Sequence, residues 1–126
     1  MTPFVQLLTV LAIVMPVFSS GAPEPLSPME AQVVLHRAGW EGEARREAYR
    51  VACGGGSTET GESRCIPGAT NGTYLGLFQI DPAWRWLCGE DVDLFQPFEN
   101  ALCARKINEY GKGLGLPSWY YWHVKP

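Results

Sequence analysis

Apolar and polar positions divide the chain into an uncharged lead, two amphipathic stretches, a turn-rich centre, a further amphipathic stretch and an aromatic tail. From Phe4 to Phe18 no charged residue occurs and most positions are apolar. Ser27-Pro28-Met29-Glu30 then reads as a helix start, with Ser as N-cap, Pro at the first helical position and Glu placed to complete a capping box. Ala31, Val34, Leu35 and Ala38 recur at helical spacing, and Gly39 is expected to end this helix. His36 reads as a surface or satisfied histidine. A second helix is predicted over Gly42–Ala52. Its apolar stripe is Ala44, Ala48, Val51 and Ala52, and Glu43–Arg46 and Glu47–Arg50 are i,i+3 pairs on a solvated face. The run from Gly54 to Gly61, with three consecutive glycines, will not continue a helix cheaply.

Pro67-Gly68 and Asn71-Gly72 mark turns in a polar loop or small hairpin. This loop closes on the apolar pentapeptide Gly76-Leu77-Phe78-Gln79-Ile80. Asp81 is expected to cap a helix that begins at Pro82, and residues 88–96 read as a polar loop. Pro97 and Glu99 open another helix, striped by Ala101, Ala104 and Ile107 with Tyr110 at its edge. Gly111, Gly113 and Gly115 are expected to break it. The tail is dense in aromatic residues from Trp119 to Trp122, and no internal repeat is visible.

The 126 residues suffice for one domain with one core. The lead is short for a membrane-spanning helix and suits a signal peptide, with Ser20, Gly21 and Ala22 as the small residues of a cleavage site. The expected organisation is a signal peptide at 1–22, a linker at 23–27 and a single domain at 28–126; an uncleaved anchor helix is the alternative. The expected destination is secretion or the cell envelope. A small exported domain needs staples, and the four cysteines read as two disulfides among three connectivities. Pairing Cys53 with Cys65 and Cys88 with Cys103 closes two loops rich in glycine and turn residues and is the favoured arrangement. No Cys-x-x-Cys occurs, and His36 and His123 lie far from the cysteines, so neither zinc nor another cofactor is expected. A formal charge of −3 without any basic run argues against nucleic acid as a partner.

The chemistry concentrates between Glu62 and Ile80. A Gln between Phe and Ile is an odd choice for plain core, because a buried amide needs partners. Glu62-Ser63, with Pro67, Ala69 and the Gly76–Ile80 block after it, resembles the lysozyme-like superfamily. The likeness is closest to lytic transglycosylase (SLT) domains, with goose-type and chicken-type lysozymes as relatives. It continues through Trp84, Asn100, Trp119 and Trp122 and covers most of the chain after residue 27. The resemblance implies an α+β, mostly α, lysozyme-like fold with short helices, a small loop or hairpin region and two disulfides. It makes Glu62 the catalytic acid and places Ser63, Tyr74, Gln79, Trp119 and Trp122 at the glycan. It also matches Cys88–Cys103 to a cysteine loop of chicken-type lysozymes. In relatives a helix leads straight into the Glu-Ser pair. Here the glycine run intervenes and predicts Glu62 on a loop, with a Cys53–Cys65 bridge to tie its ends. The Ala-Tyr-Asn-Ala-Gly motif of transglycosylases is absent.

Breaking a glycosidic bond requires a proton on the leaving oxygen, which a carboxylic acid of raised pKa delivers. Ser63 could bond nearby backbone or a carboxylate, and Gln79 could donate and accept toward an N-acetyl group. Residues 63–80 contain no Asp or Glu, so the partner carboxylate of a hydrolase is missing from that loop. The expected function is therefore an exported, monomeric lytic transglycosylase acting on peptidoglycan strands. In that route the substrate's own hydroxyl attacks while Glu62 serves as acid and then base. A muramidase with a carboxylate at Asp81, Glu90, Asp91 or Asp93, and a glycan-binding protein without activity, are the alternatives. A disulfide-stapled inhibitor or structural protein is a third class.

Overall fold

A computed structural model describes residues 24–54, 61–124 and 126. The expected signal peptide at 1–22 lies outside the described residues, as does Glu59, which from sequence competes with Glu62 as the acid but lacks the following Ser and the Pro spacing. The described chain is mostly helical. α1 spans Pro28–Arg37, α2 Gly42–Cys53, α3 Arg85–Cys88 and α4 Pro97–Gly113, with 3₁₀ turns at Pro82–Trp84 and Tyr120–Trp122. Extended pairing among the described residues amounts to two antiparallel bridges, Thr70 with Leu75 and Leu75 with Ile80, which is all that the expected hairpin becomes.

Local signals account for most boundaries. Ser27 Oγ accepts from Glu30 N at 3.1 Å and Glu30 Oε1 accepts from Ser27 N at 2.8 Å, the reciprocal box read from the sequence. Asp81 Oδ1 accepts from Ala83 N at 2.9 Å, but the segment it caps is a 3₁₀ turn that passes into the four-residue α3. Gly111 departs from expectation: α4 runs through it and ends at Gly113. A Cβ at position 111 would lie 3.2 Å from Tyr121 Cε2, so this glycine serves close packing of the tail on the helix. Ala44, assigned to the apolar stripe of α2, faces solvent, while Ala48, Val51 and Ala52 are buried.

The core forms where α1, α2 and α4 meet the Gly76–Ile80 block and the aromatic tail. Trp40, Trp119 and Phe78 lie nearly parallel at its centre, with ring centroids 5.1 Å apart for Trp40–Trp119 and 5.9 Å for Phe78–Trp119. Polar edges of the buried rings are satisfied: Trp40 Nε1 donates to Ala101 O at 3.0 Å and Trp122 Nε1 to Phe78 O at 2.7 Å. Both expected disulfides are present, Cys53–Cys65 joining the end of α2 to the central loop and Cys88–Cys103 joining α3 to α4. Among the described residues no helix is long and apolar enough to cross a membrane.

Candidate active site

The position of Glu62 depends on how α2 ends. The chain leaves α2 at Gly54 with φ of +81°, and the described residues resume at Gly61 with φ of +99°. The two glycines touch, since a Cβ on Gly61 would lie 3.1 Å from Gly54 Cα. From there the chain caps the end of α2. Gly61 N and Glu62 N donate to Val51 O at 3.0 and 2.7 Å, and Ser63 N and Cys65 N donate to Ala52 O at 3.1 and 3.3 Å. These are carbonyls that a helix C-terminus otherwise leaves unpaired. Cys53–Cys65 closes the same junction covalently. Glu62 thus lies outside α2 on a loop, as predicted, and that loop is bonded back onto the C-terminal end of the helix.

Glu62 as a residue is open to solvent, yet burial on its protein side raises its pKa above the usual carboxylate value. Ser63 beside it is buried, and its Oγ donates to Ala52 O at 3.2 Å. Its hydroxyl hydrogen is thus spent on the end of α2, and the buried side chain offers little to a glycan.

The turns after Ser63 lead to Gln79 through a relay of hydrogen bonds. Ile66 N donates to Ser63 O, Ala69 N to Ile66 O, and Gly76 N to Ala69 O at 2.8 Å. Gln79 Nε2 donates to Ala69 O and to Gly76 O, both at 2.9 Å. Gln79 itself has φ of +48°, a left-handed backbone uncommon outside glycine. Glu62 and Gln79 are thus mounted on one hydrogen-bonded frame. Tyr74 is 43 % exposed on the same loop, where Asn71 Oδ1 accepts from Thr73 N and Tyr74 N.

The two tail tryptophans assigned to the glycan are placed differently. Trp119 is 1 % exposed, stacked on Trp40, and its Nε1 donates to Glu47 Oε1 at 3.2 Å. It belongs to the core and has no open face for a sugar. Trp122 is half-buried, edge-on to Phe78 and Trp119. The open aromatic surface lies elsewhere: Trp86 is 60 % exposed, stacked on Trp84, with Tyr110 edge-on to both. From sequence, Trp84 and Trp86 could each pack in the core or line the cleft, with core the commoner role; the exposure of Trp86 removes it from the core.

Asn100 was legible only as a matching residue, and its work is structural. It is fully buried, accepts from Phe78 N at 2.9 Å and donates to Leu75 O and Leu94 O at 2.8 and 2.7 Å. Two concavities among the described residues, of about 730 and 500 Å³, lie apart from Glu62 and Gln79. One is lined by Met29, Val33, His36, Arg37 and Arg45 on α1 and α2; the other adjoins Cys88–Cys103 and contains Glu90, Asp91 and Glu99. No group of His, Cys, Asp and Glu among the described residues is arranged to hold a metal ion.

Compared with protein-family models, curated proteins and solved structures, the chain matches none.

Proposed function

We propose that this chain is an exported peptidoglycan-cleaving enzyme of lysozyme-like fold, which breaks the MurNAc–GlcNAc bond as a lytic transglycosylase with Glu62 as its one catalytic carboxylate. The observation that carries the reading is the placement of Glu62. Its backbone caps the end of α2 on a frame shared with Gln79, and burial on its protein side raises its pKa above the ordinary carboxylate value. A raised pKa suits a carboxyl better than an ordinary one both to donate to a leaving oxygen and afterwards to take up a hydroxyl proton.

The reaction then runs as follows. Glu62 protonates the glycosidic oxygen as positive charge builds on the sugar ring. The muramic C6 hydroxyl closes on the anomeric carbon, and Glu62 takes up the proton it releases. Holding that hydroxyl within the substrate gives it an effective-concentration advantage over free water. Residues 63–80 supply no second carboxylate. Glu90 and Asp91, which a hydrolytic route could recruit, line a concavity beside α4 that does not include Glu62. Trp86 and Tyr110 provide the exposed aromatic faces on which sugar C–H faces stack.

The test is release of soluble muropeptides from insoluble peptidoglycan. Wild type is expected to release them and Glu62→Gln to lose at least about a hundredfold in rate; equal rates would remove Glu62 from the mechanism. The alternative is glycan binding without cleavage. Retention of the wild type on peptidoglycan with no soluble product would establish that alternative.

A further inference from the structure

We propose that Asn100 is the positioning residue of the site, and that it locks Gln79 in an orientation that offers a ligand only a hydrogen-bond acceptor. The inference deepens the function proposed above and rests on it for the identity of the ligand.

Asn100 projects from the first turns of α4 into the loop that carries Gln79. Its orientation is determined by its partners: two carbonyls face Nδ2 and one N–H faces Oδ1, so a flipped amide would put oxygen against oxygen. It thereby clamps Leu75 and Phe78, the residues that bracket Gly76 and precede Gln79. Gly76 completes the clamp. Its φ is +79°, and a Cβ there would overlap Leu94 O and Asn100 Nδ2. The Asn and the Gly are one fitted pair.

The clamp decides what Gln79 presents. With residues 75–78 held, Gly76 O and Ala69 O stand together, and both accept from Gln79 Nε2. An amide NH₂ has two hydrogens, and both are spent on backbone. Gln79 Oε1 has no hydrogen-bond partner among the described residues. No side-chain polar atom that is sealed from solvent lacks a partner there, so Oε1 is open. The expectation that Gln79 both donates and accepts is thereby sharpened. The site reads an N–H or O–H on the ligand, such as the N–H of an acetamido group, and cannot donate to the acetyl oxygen through this residue.

Two measurements test this on the folded chain with its disulfides intact. The first needs no ligand. The side-chain amide protons of Gln79, assigned by their loss in Gln79→Met, should exchange with solvent about tenfold more slowly than those of Gln32 and Gln96. Asn100→Asp removes both donors and should erase that difference while backbone protection in α1 persists. If the Asp variant does not fold, Asn100→Ser serves the same purpose. Unprotected Gln79 protons in wild type, or protection that survives loss of the Asn100 amide, would overturn the proposal. The second uses tetra-N-acetylchitotetraose as the probe. Gln79→Met and Asn100→Asp should each weaken binding about tenfold, and the double variant should be no weaker than Gln79→Met alone, because Asn100 acts through Gln79. Additive losses would overturn it. A wild type that fails to bind the probe while its Gln79 protons are protected would count against the proposed function and leave the clamp supported.

Discussion

Substitution of Gly76 by Ala puts the architecture of the site at risk with a single methyl group. The added carbon would land on Leu94 O and on Asn100 Nδ2, a backbone carbonyl and a fully buried amide, neither of which is the free end of a flexible side chain. The backbone at 76 has φ of +79°, where an L-residue costs about 1–2 kcal/mol. Overpacking a tight site typically adds about 1–3 kcal/mol. If Asn100 is pushed aside, its bonds to Leu75 O, Leu94 O and Phe78 N go with it, and each buried group left unpaired costs about 1–3 kcal/mol. The strain and the broken bonds are alternatives in part, since relief of one causes the other, so the expected net loss is about 4 kcal/mol. Against a total stability of about 5–15 kcal/mol, that is a large fraction. Urea denaturation of the disulfide-intact protein, followed by tryptophan fluorescence, measures it directly. A loss below about 1 kcal/mol would refute the fitted pair, because the loop would then have room to yield.

Glu62→Gln should affect stability with a definite sign. A carboxyl whose pKa is raised on folding binds its proton more tightly when folded, so folding stability declines as pH rises from the unfolded pKa through the folded one. Gln abolishes that decline. The variant should be more stable than wild type near neutral pH by less than about 1 kcal/mol, the group being solvent-exposed, and the two should converge in acid; a gap that widens on acidification would contradict the assignment. Trp119→Ala should cost about 3–5 kcal/mol in denaturant unfolding, as removal of a stacked core ring does. Trp86→Ala should leave stability within about 0.5 kcal/mol yet weaken retention on insoluble glycan, and the reverse pattern would move the sugar surface back to the tail. Replacing Cys53 and Cys65 together by Ser opens a loop with a sequence separation of 12 and should cost about 3 kcal/mol by loop entropy, read as a fall in thermal midpoint.

Much of this molecule was legible because its signals are local. The capping box at Ser27, the helical stripes of α1 and α4 and the Asp81 cap each depend on residues within a turn of one another. The misreadings arose where distant contacts decide. Three glycines after α2 argue for a loop position of Glu62, and Glu62 does lie outside the helix. What sequence spacing does not reveal is that Gly54 and Gly61 meet and that Glu62 then caps Val51. Gly111 looked like a breaker and is a packing contact for Tyr121. Trp119 and Trp86 are alike as residue types, and composition cannot say which is sealed and which is open. Burial separates them, because Trp119 meets Trp40 and Phe78 across three elements while Trp86 projects from a short helix at the surface. The amide of Gln79 was noticed because it is polar among apolar neighbours, but which of its atoms a ligand would meet depends on Asn100, 21 residues further along.

The central claim is that one carboxylate, Glu62, cleaves the glycan without a partner. Mass spectrometry of a peptidoglycan digest tests it most directly, because cyclisation and hydrolysis differ by one water. The account predicts fragments with 1,6-anhydromuramic ends from wild type and none from Glu62→Gln. Fragments with reducing ends, made by wild type and lost when Asp81, Asp91 or Asp93 is replaced, would contradict it and identify the second carboxylate.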